Sequence, residues 1–252
     1  MMTRRRLLVS AGAGVLGVTV LTTVTGCSKS TDSATGGTTT GPATTPASAA
    51  AAPGGAVAGD WRRVNLSFVS AYLLIRGSDA AVVDLGTAGS AGAIEAALKA
   101  AGSGWDAVRH VLLTHKHADH AGGLAEVEPQ VKATFYTGEA DVPEVSSARP
   151  LTPLTDGDEV FGLQIIGTPG HTAGHVAVFD PATGVLVAGD ALRTTSGLAG
   201  PDPRYTDDMA QAAVSVRKLA TLPVRTILPG HGDPLTSGAA EALGRLAASM
   251  KG

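Results

Sequence analysis

Between Leu112 and His120 the chain reads Leu-Leu-Thr-His-Lys-His-Ala-Asp-His, with three imidazoles and a carboxylate inside six positions. Imidazole nitrogen and carboxylate oxygen are the donors that zinc and its neighbours accept. Val108 to Leu113, which ends in the apolar run Val111 to Leu113 just before them, predicts a buried strand. Side chains on extended backbone alternate faces, so His115 and His117 should project to one side and Lys116 to the other. Two nitrogen donors are then aimed at one metal. Asp119 and His120 follow, where Gly122-Gly123 marks a turn, and are placed to address a second metal beside the first.

Four further positions end an apolar run with a residue suited to the same chemistry. His171 lies in Thr168-Pro169-Gly170-His171, Asp190 in Ala188-Gly189-Asp190, His231 in Pro229-Gly230-His231-Gly232, and Asp84 closes a run of its own. Donors delivered from separate strand ends, on turns where glycine admits close backbone approach, are held by a rigid frame rather than by loops.

The frame must come from aliphatic residues. Of 252 residues 44% are hydrophobic but only 4% aromatic, so Val, Leu, Ile and Ala have to fill the core. Strands are expected at 61–68, 71–76, 80–85, 108–113, 133–136, 163–167, 176–179, 185–188 and 225–228. Helices are expected from Ser90 as cap to Ala101, around 124–127, after Thr206 as cap with Asp207 and Asp208 in the first turn, and over 237–250. The stretch 138–153 has no periodicity that selects an element. Strands interleaved with helices imply a layered α/β fold.

The ends of the chain carry other signals. Residues 1–27 open with Thr3-Arg4-Arg5-Arg6 and a mildly apolar run, resembling a Tat export signal. Val24-Thr25-Gly26-Cys27 resembles a lipobox, which makes Cys27 the lipidation site and predicts an exported protein anchored at the outer face of the bacterial cytoplasmic membrane. Residues 28–59, rich in Ser, Thr, Gly, Ala and Pro, are expected to be a disordered tether. Residues 60–252 are left as the catalytic domain. They hold 15 basic and 21 acidic residues, a net charge of -6 with no basic cluster, which disfavours nucleic acid as a partner.

From about Asp60 onward the chain resembles the metallo-β-lactamase-fold hydrolases in each signature block: His115-x-His117-x-Asp119-His120, His171 in T-P-G-H-T, Asp190 in A-G-D-A and His231 in P-G-H-G. The resemblance implies a four-layer αββα sandwich with the site at one edge. It assigns His115, His117 and His171 to a first metal, Asp119, His120 and His231 to a second, and Asp190 to both, with a hydroxide completing the bridge. Asp119 would also shuttle a proton. Asp84 matches a buried carboxylate that supports the site, and His175 is expected to back a ligand or pack rather than ligate. His110 is read as structural. A donor set without thiolate suits two Zn²⁺, with Fe or Mn also compatible.

These features point to a dinuclear zinc hydrolase that attacks the carbonyl of a small ester, thioester, lactone or amide outside the cytoplasm. Arg193, Arg204 and Tyr205 are candidates for holding an acidic or polar substrate group. Arg193 stands where acyl-homoserine lactonases of the family often have Tyr. Two alternatives remain open: an oxidoreductase resembling the mono-iron persulfide dioxygenases, and a non-catalytic surface lipoprotein that keeps its metals for stability.

Overall fold

A computed structural model describes residues 55–250. The expected export signal with Cys27, and the expected tether up to residue 54, lie outside the described residues. In chain order the elements are β1 (Ala56–Ala58), β2 (Trp61–Leu66), β3 (Val69–Arg76), β4 (Asp79–Val83), α1 (Ala91–Ala100), β5 (Val108–Leu113), α2 (Ala118–Ala121), α3 (Leu124–Val127), β6 (Thr134–Gly138), β7 (Leu151–Leu154), β8 (Glu159–Val160), β9 (Leu163–Gly167), β10 (Val176–Asp180), β11 (Val185–Arg193), α4 (Met209–Leu219), β12 (Thr226–His231) and α5 (Ala239–Ser249). One sheet runs β1-β2-β3-β4-β5-β6-β7, the other β12-β11-β10-β9-β8.

Alternation along single strands builds the layers. In β3, Ala71 and Leu73 face a core shared with α1 and α3, while Tyr72 and Leu74 face the opposite sheet. In β10, Val176 and Val178 meet the first sheet, while Ala177 and Phe179 turn outward beneath α4 and α5. Both faces of each sheet are therefore apolar, as a sheet covered on both sides requires. The result is helix, sheet, sheet, helix, the expected αββα sandwich. Each fully buried Leu, Val or Ile contributes about 1.5–3 kcal/mol by leaving water, which a core poor in aromatics supplies by number.

Several local expectations are corrected. The tether boundary at Asp60 moves, because Ala56–Ala58 pairs antiparallel with β2; its small residues carry no strand signal of their own and are held by pairing. Thr206 does not cap α4. Asp207 and Asp208 donate their N–H groups to the carbonyls of His171 and Gly170, which keeps 206–208 out of the helix. Asp208 is the cap instead, its carboxylate accepting from Gln211 N at 2.9 Å. Met209 is consequently exposed, and α4 buries Ala212, Ala213, Val216 and Leu219. Ser90 holds the cap position of α1 without a side-chain bond. The segment without periodicity contains a 3₁₀ turn, Glu139–Glu144, and the edge strand β7. No helix among the described residues is long and apolar enough to cross a membrane.

Candidate metal centre

The strands that carry the donors all end at the same rim. β5 leads into His115 and His117, and α2 carries Asp119 and His120. From the other sheet, the turn after β9 presents His171, β11 presents Asp190 and β12 ends on His231. All seven expected donors meet there. His115, His117 and His171 form one triad, and Asp119, His120 and His231 another, each with its donor atoms within 4.8 Å of one another.

In the first triad Nδ1 of His117 lies 3.0 Å from Nε2 of both His115 and His171. Three ring nitrogens thus converge on one point. In the second, Nε2 of His231 is 3.3 Å and Nε2 of His120 is 3.8 Å from Asp119 Oδ2. Asp190 stands between the triads. Its Oδ1 is 3.2 Å from His120 Nε2, and its Oδ2 is 3.4 Å from His171 Nε2 and 3.2 Å from His231 Nε2.

The far nitrogens of these rings are tied down. His120 Nδ1 lies 2.8 Å from Asp84 Oδ2, His115 Nδ1 3.0 Å from Thr114 Oγ1, His171 Nδ1 3.2 Å from Thr206 Oγ1 and His231 Nδ1 2.8 Å from the Phe68 carbonyl. Such partners orient a ligating imidazole and leave its inner nitrogen free. Asp84 also accepts from Thr114 N and Oγ1, and does so from left-handed backbone at φ 61°. A non-glycine residue in that conformation is strained, and here three hydrogen bonds offset the cost.

Two glycines let the strands approach. A Cβ on Gly230 would fall 2.4 Å from Asp190 Oδ1, and one on Gly189 2.7 Å from His175 Nε2. His175 is buried behind the donors, accepting from Asp190 N at 3.0 Å and meeting Thr168 Oγ1 at 2.7 Å. It supports Asp190 and belongs to neither triad.

Electrostatics divides the two halves. Burial pushes His115 well below its ordinary range and His171 down to about 4, leaving both rings in the neutral form that ligation needs. Burial also opposes charge on His120 and His231, yet the carboxylates prevail: Asp190 and Asp84 raise His120 well above its usual value, and bonds to Asp119 and Asp190 lift His231 to about 10. Asp190 in turn is held well below the carboxylate range by His120 and His231, despite its burial.

The residues fit a pair of cations. His120 Nε2 and Asp190 Oδ1 are buried and without a hydrogen-bond partner among the described residues, although they lie close together. Buried polar atoms without partners are costly. A cation between them would satisfy both atoms and replace the positive charge that the carboxylates otherwise draw onto the rings.

A cleft of about 940 Å³ opens over the second triad, lined by His117, Asp119, Asp190 and His231 at its floor and by Phe68 and Tyr205 at its mouth. Arg193 lines it, with Nε engaged by the Gly200 carbonyl. Arg204 also lines it, but both its Nε and Nη2 bond Asp202 and the guanidinium lies 5.3 Å over the Tyr205 ring. Its charge is largely spent within the loop, which weakens its expected role in holding substrate. Lys116 points away, bonded to Glu144, and His110 packs against Tyr136 and Phe161. Sequence reasoning missed Phe68, whose ring stacks on His231 at 6.1 Å, and also Thr114, Thr206 and Asp141. The Thr114-His115 adjacency was the one available signal.

The family model for the metallo-beta-lactamase superfamily matches residues 64–231, which takes in every one of these donors. The chain belongs to the metallo-beta-lactamase superfamily. The probable metallo-hydrolase YflN of Bacillus subtilis (strain 168) is 32% identical over 201 residues, 62% of this chain and 76% of that protein. A hydroxyacylglutathione hydrolase of Dechloromonas aromatica (strain RCB) is 34% identical over 176 residues; the match takes in 66% of this chain but only 60% of that enzyme. Among solved structures, TTHA1623 in a di-iron-bound form is 28% identical with a TM-score of 0.56, over 73% of this chain and 93% of that one. The chain is a metal-dependent hydrolase of this superfamily, with a divalent metal as cofactor.

Proposed function

We propose that this protein is a dinuclear, zinc-dependent hydrolase of small esters, thioesters, lactones or amides. The observation that carries the reading is Asp190, whose two oxygens reach nitrogens of both triads. A closed structural zinc site needs four ligands and no shared carboxylate. When bound, two cations lower the pKa of coordinated water from 15.7 towards about 7 and polarise the scissile carbonyl.

The chain's own residues supply the rest. Thr114, Asp84, Thr206 and the Phe68 carbonyl orient the rings. Asp119, partly open to the cleft, can take and return a proton at its carboxylate. Phe68 and Tyr205 flank the entrance with apolar surface, and Arg193 is placed to meet a polar substituent. The relatives named hydroxyacylglutathione hydrolase support an acyl thioester among the substrates. The N-terminal signals support a lipid-anchored protein at Cys27 that meets its substrate outside the cytoplasm. A mono-iron dioxygenase would hold a single ion, and the reach of Asp190 to nitrogens of both triads favours the dinuclear hydrolase.

The test is a hydrolysis screen of zinc-loaded protein on lactone, thioester, β-lactam and phosphodiester probes, with metal analysis. About two metals per chain and turnover abolished in His117→Ala are expected. Undiminished turnover in that variant, or a single iron with oxygen uptake on a persulfide, would overturn the proposal.

A further inference from the structure

Asp141 lies in the 3₁₀ turn after β6, outside every signature block in sequence, and is completely buried. Its Oδ2 accepts from Lys116 N at 3.0 Å and from Thr172 Oγ1 at 2.6 Å, and its Oδ1 accepts from Gly174 N at 2.8 Å. Lys116 is the residue between His115 and His117. Thr172 follows His171, and Gly174 precedes His175. One carboxylate thus bridges the two backbone segments that carry the first triad, one from each sheet.

The approach is built in. A Cβ on Gly174 would lie 2.4 Å from Asp141 N, and one on Gly138, at the end of β6, 1.7 Å from the Gly174 carbonyl oxygen. Any larger residue at either position would drive the 3₁₀ turn off the His171 turn.

We propose that Asp141 is a positioning residue for the three-histidine half of the site, setting the distance between the His115–His117 segment and the His171 turn. It touches none of the donors and acts through the backbone. Only a carboxylate presents acceptors on both edges. An asparagine would meet either Lys116 N–H or Gly174 N–H with its own amide donors, so in either orientation one of the two backbone bonds is lost and its segment is held less firmly. Among the described residues no side-chain hydrogen bond of Asp141 reaches Asp119, His120 or His231, so its effect should be confined to one triad. The inference rests on the two-cation reading above.

The experiment measures zinc affinity by chelator competition in two backgrounds. His231→Ala leaves the first triad intact, and His117→Ala leaves the second. Adding Asp141→Asn should weaken the remaining zinc about 10- to 100-fold in the His231→Ala background, the range for losing a group that supports ligands, and leave it within about twofold in the His117→Ala background, as additive sites do. Equal losses in both backgrounds, or none in either, would overturn the positioning role. Thr172→Val, which removes one donor and keeps the carboxylate, should loosen the first triad alone by about threefold and decides the matter if Asp141→Asn does not fold. Wild-type protein holding fewer than two zinc ions would count against the two-cation reading and leave the comparison at the first triad intact.

Discussion

Asp84 Oδ2 lies 2.8 Å from His120 Nδ1, so the carboxylate dictates that this imidazole carries its proton on the outer nitrogen and offers Nε2 to the site. Replacing Asp84 by Asn puts an amide donor either against His120 Nδ1 or against Thr114 N, whose bond to Asp84 Oδ1 is 2.7 Å. The first arrangement turns the ring to its other tautomer and blocks Nε2 with a proton. Zinc at the Asp119, His120, His231 triad should weaken by about 10- to 100-fold while the first triad keeps its ion. Chelator competition on Asp84→Asn checks this, and two ions held at wild-type affinity would contradict it.

Phe68 is 60% exposed, yet its ring stacks on His231 and its carbonyl meets the same imidazole. Phe68→Ala removes the ring and keeps the carbonyl. Stability should change by no more than about 0.5 kcal/mol, as for most surface sites. KM for a substrate with an apolar group should rise by about threefold to tenfold, the equivalent of one aromatic contact, with kcat little altered. A fall in kcat with KM unchanged would mean that the carbonyl contact, and with it His231, had moved.

Tyr72 is buried between the sheets, and its hydroxyl donates to the Pro229 carbonyl at 2.7 Å, bracing the end of β12 that bears His231. Burial raises its pKa above the ordinary tyrosine value. The raised folded value means that the neutral hydroxyl's contribution is complete below about pH 10 and declines above it, by up to about 1.4 kcal/mol per pH unit. Tyr72→Phe should cost about 1 kcal/mol at pH 7 for the lost bond and should flatten the alkaline decline. Urea unfolding at pH 7, 10 and 11 measures both effects.

His175 behaves in the opposite sense. Burial lowers it to about 3, whereas in the unfolded chain it titrates near 6.5. Between those values the unfolded state binds the extra proton, so stability is complete above about pH 6.5 and falls as pH drops towards 3, by up to about 1.4 kcal/mol per unit. His175→Gln should soften that acid limb in metal-free protein. An unchanged slope would show that His175 is not the group responsible.

The legibility of the chain followed the chemistry of each segment. Histidines and aspartates at the ends of aliphatic runs stand out because few other roles place them there, and β5 and β9 were readable to the residue because their buried Val, Leu and Ile positions are bounded by turn residues. What failed to show was anything held by its neighbours. β1 has no strand composition, and Asp141 sits in a segment without periodicity. Thr206 reads as a better cap than Asp208 until the bonds from Asp207 and Asp208 to the His171 turn are seen. Phe68 looks like one more strand residue; only the hairpin turn at Ser67, φ 77°, swings it over the rim.

The donors of both triads are drawn from both sheets, so a bound ion also acts as a clasp between the two halves of the sandwich. Prying the halves apart means giving up the ion, and the molecule's resistance to heat becomes a function of how much free cation surrounds it. At a hundredfold excess over the dissociation constant the gain is about 2.7 kcal/mol per ion. A chelator should lower the melting temperature even where catalysis is not being watched, and scarcity of metal would then decide how much of the protein survives as well as how much of it works.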